Sequence, residues 1–201
     1  MCSVRNYIQY IHTETAQIAA IEKKYYSNIK INELLDSKNI EKFERIKSEK
    51  RKIEFVLVRY LLKELSNSIE INYKENGEPI FENNQSISIS HCQNLVVVGL
   101  SKNRIGIDSE TIQEKILKIQ HKFIHESEFV GQEFSPLELT IRWCCKEALF
   151  KLSELKTFNI KENLRVKQIS ENHYEGLIID ENKIIKLEIH QLNNTIVCTT
   201  K

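Results

Sequence analysis

The sequence predicts an α+β protein of two similar halves that divide near residue 103, giving units 1–103 and 104–201, and two observations carry that expectation. A helix-period apolar stripe is followed by short strand-like runs once before residue 103 and once after it. With 201 residues, 41% hydrophobic and 28% charged, the chain is long enough to bury one or two cores without staples.

In the first half, Met1 to about Lys30 carries no functional signal, and Thr13 to Tyr26 is expected to be helical. From Asn39 to Leu65, the residues Phe43, Ile46, Ile53, Val56, Leu57, Tyr60, Leu61 and Leu65 form one helical stripe. Lys47, Lys50, Arg51, Lys52, Arg59 and Lys63 form a basic flank, ordinarily a solvated one. Asn76-Gly77 marks a tight turn between two short extended runs. Ser86 to Ser90 alternates serine with isoleucine, as a half-buried strand does, and leads into His91. Leu95 to Leu100 is nearly continuous apolar sequence and reads as a strand covered on both faces.

The second half opens with Ile105-Gly106-Ile107-Asp108-Ser109-Glu110, a strand with Asp108 and Glu110 on one side. A helix is expected from about Thr111 to His125, and Glu126 to Phe134 links it to the next. Ser135-Pro136-Leu137-Glu138 has the form of a capping box with proline at the first helical position, so a helix starts there and runs to about Leu155. Ile141, Cys145, Ala148, Leu152 and Leu155 give its buried stripe, while Trp143, Glu147, Lys151 and Glu154 fall on another face. Leu164–Ser170, Tyr174–Ile179, Ile184–Ile189 and Thr195–Thr199 then alternate between turn signals and predict a hairpin-linked sheet.

Composition narrows the partners. Lys and Arg total 29 against 28 Asp and Glu, so no global charge argues for nucleic acid, and a phosphate-binding patch must be local. The five cysteines form no Cys-x-x-Cys pair, as expected in a reducing compartment. No apolar stretch is long enough to span a bilayer and the N-terminus lacks signal-peptide zones, so a cytoplasmic location is expected.

The chemistry concentrates in four residues. Two carboxylates 4 Å apart repel by about 4 kcal/mol at an effective dielectric of 20, so Asp108 and Glu110 either stand as two solvated acids at a strand end, the commoner case for this spacing alone, or share a cation or a proton. Hard oxygen donors suit Mg²⁺, which takes few protein carboxylates and leaves room for phosphate, with Glu147 as a third ligand. Lys151, one helical turn beyond Glu147, ordinarily makes only a solvated pair with it.

Gly106-Ile107-Asp108-Ser109-Glu110 followed by Trp143-Cys144-Cys145-Lys146-Glu147-Ala148-Leu149-Phe150-Lys151 resembles the two-part signature of the 4′-phosphopantetheinyl transferases. Chain length and Ser90-His91 look like the longer, monomeric type, and the resemblance covers about Ile46 to Leu155. It implies a pseudo-twofold fold with the active site in a cleft between the halves. It also implies Mg²⁺-dependent transfer of the 4′-phosphopantetheine group from coenzyme A to a serine of an apo acyl or peptidyl carrier protein, releasing adenosine 3′,5′-bisphosphate. Asp108, Glu110 and Glu147 would hold the metal, Glu147 would accept the serine proton directly or through metal-bound water, and Lys151 would offset negative charge. Arg51 or Lys52, together with Ser90, His91 and Lys146, would meet the phosphates of coenzyme A, although a solvated Lys146 is an equal reading. Glu78 stands where family members commonly carry a lysine toward the nucleotide, and the stretch 126–134 would lie near the docked carrier. The alternative is a protein of the same fold that binds coenzyme A or a carrier without turnover.

Overall fold

The computed structural model describes residues 4–75, 77–81, 85–129, 131, 133–153 and 159–201. The chain divides into two units, Met1–Asn103 and Arg104–Lys201, in a mixed α+β architecture.

In the first unit β1 (Gln9–His12), β2 (Ala16–Glu22), β5 (Ser86–His91) and β6 (Leu95–Ser101) form an antiparallel sheet in the order β1-β2-β6-β5. The helices are α1 (Ile31–Leu34), α2 (Ser37–Glu44) and α3 (Glu49–Ser66), and β3 (Asn72–Tyr73) pairs with β4 (Pro79–Ile80) as a separate two-stranded ribbon. Val56, Leu57, Leu61 and Leu62 of α3 pack on Ala19, Ile21, Val96 and Val98, so the expected stripe makes the core. All seven residues of β6 are buried, as the apolar run predicts.

Three expectations for this unit fail. The helix expected over Thr13–Tyr26 is instead β2 followed by a 3-10 turn at Lys23–Asn28. Ala19 and Ala20 are good helix formers, but β2 is held between β1 and β6 with Ile18 to Ile21 buried, and long-range pairing overrides local propensity. The single helix expected over Asn39–Leu65 is two, because Ser48 caps α3 by accepting from Arg51 N at 3.4 Å. Arg59 does not belong to a solvated flank. It is buried, donates to Asn39 Oδ1 at 2.8 Å and lies 3.3 Å from the Phe55 ring, which ties α2 to α3. Of the expected Asn76-Gly77 turn, Gly77 has φ +83°, while Asn76 lies outside the described residues.

In the second unit β7 (Ile107–Thr111), β8 (Leu164–Ser170), β9 (His173–Ile178), β10 (Lys183–Leu192) and β11 (Thr195–Thr200) form an antiparallel sheet in the order β7-β11-β10-β9-β8. The helices are α4 (Pro136–Leu152) and the short α5 (Ile160–Asn163). The capping box at Ser135 and Glu138 is present. Cys145, Ala148, Leu149 and Leu152 pack on Leu164, Ile178, Leu187 and Cys198; Leu155 and Glu154 lie outside the described residues. The helix expected over Thr111–His125 is shorter, a 3-10 segment at Glu114–Lys122, because β7 continues to Thr111. Phe123, Ile124 and Phe134 pack with Leu139 and Trp143, so α4 is covered by the 114–134 segment as well as by the sheet. No helix among the described residues is long and apolar enough to cross a membrane.

Candidate active site

Asp108 and Glu110 stand opposite Cys198 and Ile196 of β11, on the sheet face that α4 covers. Gly106 allows the approach. A Cβ there would sit 2.0 Å from the Ala148 carbonyl oxygen, so only glycine lets α4 lie this close to the start of β7. Glu147 and Lys151 of α4 are thereby brought to the two β7 acids. Lys151 Nζ donates to Asp108 Oδ1 at 2.8 Å and to the Ile107 carbonyl at 2.8 Å.

The carboxylates sense one another. Burial, then the charge of Asp108, raises Glu147 to about 7; Lys151 pulls it down and Glu110 pushes it up. Glu110 is also raised, by burial first and Asp108 second, while a hydrogen bond from Trp143 lowers it. Trp143 thus does more than pack, although its ring also meets Phe123 edge-on at 5.1 Å. The Cys144 thiol is pushed far up by burial, with Asp108 and Glu110 adding to it.

Among the described residues no group of three His, Cys, Asp or Glu side chains is placed to hold a metal ion. The counter-charge on Asp108 is supplied by the Lys151 ammonium. The donor chemistry nevertheless fits a hard divalent cation, since all three groups offer oxygen and their mutual repulsion is what such an ion relieves.

Lys146 is a correction. It is not solvated; it is fully buried, and Nζ donates to the Phe123 carbonyl at 2.5 Å, to Glu128 Oε2 at 2.5 Å and to the Leu164 carbonyl at 3.1 Å. Burial lowers its pKa and Glu128 opposes that shift. Glu128, which sequence reasoning passed over, also accepts from His125 N and Val166 N at 3.0 and 2.9 Å. His125 has the structural role expected of a lone histidine, capping the turn at Glu126–Glu128.

A second cluster lies in the first unit, where the start of α3 meets the end of β5. Arg51 Nη1 is 3.1 Å from His91 Nε2 and donates to Glu54 Oε2 at 3.1 Å. Lys23 Nζ binds Glu54 Oε1 at 2.7 Å. Lys52 turns instead to Glu49 at 2.9 Å, so of the two candidate basic residues Arg51 is the one beside His91. Burial lowers the His91 pKa and Glu54 opposes it. Ser90 is buried next to His91 in β5. Glu54 and Lys23 were not singled out in the sequence; the i, i+3 spacing of Arg51 and Glu54 signals the first, and no local pattern signals the second. Glu78 pairs with Lys74 at 2.9 Å, so its charge is partly answered within the ribbon turn.

A groove of about 700 Å³ in the second unit is lined by Phe134, Arg142, Arg165, Gly176 and Ile184 among others, but by none of the three acids. The site is therefore marked by its chemistry and not by cavity size.

Residues 104–200 match the sequence model of the 4′-phosphopantetheinyl transferase superfamily. The chain is also 31% identical over 109 residues to a protein of Aneurinibacillus migulanus named 4′-phosphopantetheinyl transferase gsp. That alignment covers 49% of this chain and 45% of the relative, so the chain spans about half the length of the curated relative it matches. The resemblance read from the two-part motif is borne out, and the enzyme class it implies is the class that both matches carry.

Proposed function

We propose that the chain is a 4′-phosphopantetheinyl transferase that moves the phosphopantetheine arm of coenzyme A onto a serine of an acyl or peptidyl carrier protein. The observation that carries this reading is the meeting of Glu147 and Lys151 of α4 with Asp108 and Glu110 of β7, inside the stretch that matches the superfamily. In the reaction the serine oxygen bonds to the phosphorus that carries the pantetheine arm. The bridging P–O bond breaks, and adenosine 3′,5′-bisphosphate leaves.

Such a transfer asks the protein for positioning and charge neutralisation. Glu147, titrating near 7, is suited to take the serine proton as the new bond forms. Lys151 holds Asp108 and places a positive charge beside the acids, where negative charge gathers as the bisphosphate departs. Asp108, Glu110 and Glu147 are the residues proposed to hold Mg²⁺, which when bound would neutralise the pyrophosphate oxygens. Arg51 and His91 are proposed to bind phosphate, with Glu54 and Lys23 fixing their side chains. The protein is proposed to act as a monomer.

The experiment is incubation with an apo carrier protein, coenzyme A and Mg²⁺, with mass spectrometry to detect the added arm. Asp108→Ala and Glu147→Ala are expected to lose transfer by about a hundredfold or more. Arg51→Ala and His91→Ala are expected to raise KM for coenzyme A about tenfold while changing kcat less. Transfer that persists in both acid variants would remove the site. The second reading, coenzyme A or carrier binding without turnover, is favoured by one observation, the Lys151 ammonium bound to Asp108. Tight coenzyme A binding with no transfer to several carriers would decide for it.

A further inference from the structure

Lys146 and Glu147 are neighbours on α4, yet one is sealed in the protein and the other faces the acids of β7. The helix is covered on two sides, with Leu139, Thr140, Ile141, Arg142, Cys144, Cys145, Lys146, Ala148, Leu149 and Leu152 all buried. An apolar surface that runs most of the way round a helix fixes its depth but constrains its rotation about its own axis only weakly, because hydrophobic burial is non-directional. Directional bonds must set the rotation. On one side Lys151 is bonded to β7 through Ile107 O and Asp108 Oδ1. On the other, Lys146 Nζ is bonded to three separate segments, through the carbonyls of Phe123 and Leu164 and through Glu128 Oε2. Glu128 is itself held by His125 N and Val166 N, and lies 3.8 Å from Arg142, which donates to the Val166 carbonyl at 2.7 Å. Glu147 sits between the two anchors.

We propose that Glu128 and Lys146 act as a positioning pair for the transfer reaction, holding α4 at the rotation that turns Glu147 toward Asp108 and Glu110. The inference rests on the transferase reading above. It assigns Lys146 no contact with coenzyme A. Losing the pair lets α4 turn, and a displacement of the order of 1 Å at a reacting group can cost about a hundredfold in rate without weakening substrate binding.

The test uses the whole chain with Lys146→Met, and with Glu128→Gln and Lys146→Met together. The double variant keeps an acceptor for one of the two amides, removes the Lys146 charge together with its carboxylate partner, and leaves Arg142 its bond to the Val166 carbonyl, so it is expected to fold. It is expected to lose kcat by about tenfold or more with KM for coenzyme A within about twofold of wild type. The emission of Trp143, the chain's sole tryptophan, is expected to shift as α4 turns. A folded double variant with wild-type kcat would overturn the proposal, showing the pair to be structural only. A raised KM with kcat kept would also overturn it, placing Lys146 at a phosphate. Should the double variant not fold, Lys146→Met alone, which leaves Glu128 its bonds from His125 N and Val166 N and Arg142 beside it, carries the same readouts. If the wild-type chain modifies no carrier, the transferase reading fails by itself. In that case a Trp143 spectrum unchanged in the folded variants overturns the positioning claim, and a shifted one sustains it.

Discussion

Glu147→Gln is expected to abolish transfer and, at pH 8, to make the chain more stable. Glu147 titrates near 7 in the folded chain against 4.5 for the ordinary side chain, because it is half-buried and near the charges of Asp108 and Glu110. Between those two values the folded chain binds more protons than the unfolded one, so stability falls as pH rises through the window and stays low above it. Glutamine removes the charge. Part of the side chain stays hydrated, so the gain at pH 8 is about 1–2 kcal/mol, less than the full shift would give. At pH 4 and below, where the wild-type carboxyl is protonated as well, the gain should vanish. Urea unfolding at the two pH values measures the difference. Activity should fall by about a hundredfold or more, since the amide cannot accept the serine proton. If Asp108, Glu110 and Glu147 hold Mg²⁺, adding the ion stabilises the wild type at pH 8 more than the variant and narrows the gap. Equal stability of the two proteins at pH 8 would mean that Glu147 is not crowded by the acids of β7.

The parts of the site that were legible in the sequence are those set by local rules. Asp108 and Glu110 share a face because side chains alternate along β7, and α4 begins where Ser135, Pro136 and Glu138 say it must. Their spacing from Glu147 and Lys151 then carried the resemblance to the superfamily whose sequence model residues 104–200 match. Lys146 and Arg59 were misplaced because a charged side chain defaults to solvent unless its partners are known, and those partners, Glu128 and Asn39, lie in segments that periodicity cannot bring near. The same limit hid β2. Its sequence is compatible with a helix, and what makes it a strand is pairing with β6, far along the chain.

Gly106→Ala is expected to unfold the second unit or to cost it about 3 kcal/mol or more, and Gly176→Ala provides the control. Both glycines face α4 and neither has a positive φ, so the comparison isolates packing from backbone freedom. At Gly106 the new methyl would lie 2.0 Å from the Ala148 carbonyl oxygen and 2.9 Å from its carbon. Those are backbone atoms of a helix, and they can yield only if α4 as a whole moves away from β7. At Gly176 the methyl meets the ends of the Leu149 side chain, at 2.4 and 2.9 Å, and a change of rotamer relieves most of the clash, for a cost of about 1–2 kcal/mol. The displacement at Gly106 has a direction that matters for catalysis, because it carries Glu147 and Lys151 away from Asp108 and Glu110. Any Gly106→Ala protein that stays folded should therefore lose transfer more than its stability explains, whereas folded Gly176→Ala should retain most of it. Thermal unfolding with carrier modification measured on the same samples separates the two effects. A Gly106→Ala chain as stable as wild type would mean that α4 does not approach β7 this closely, and the carboxylates would lose the contact on which their shared chemistry depends.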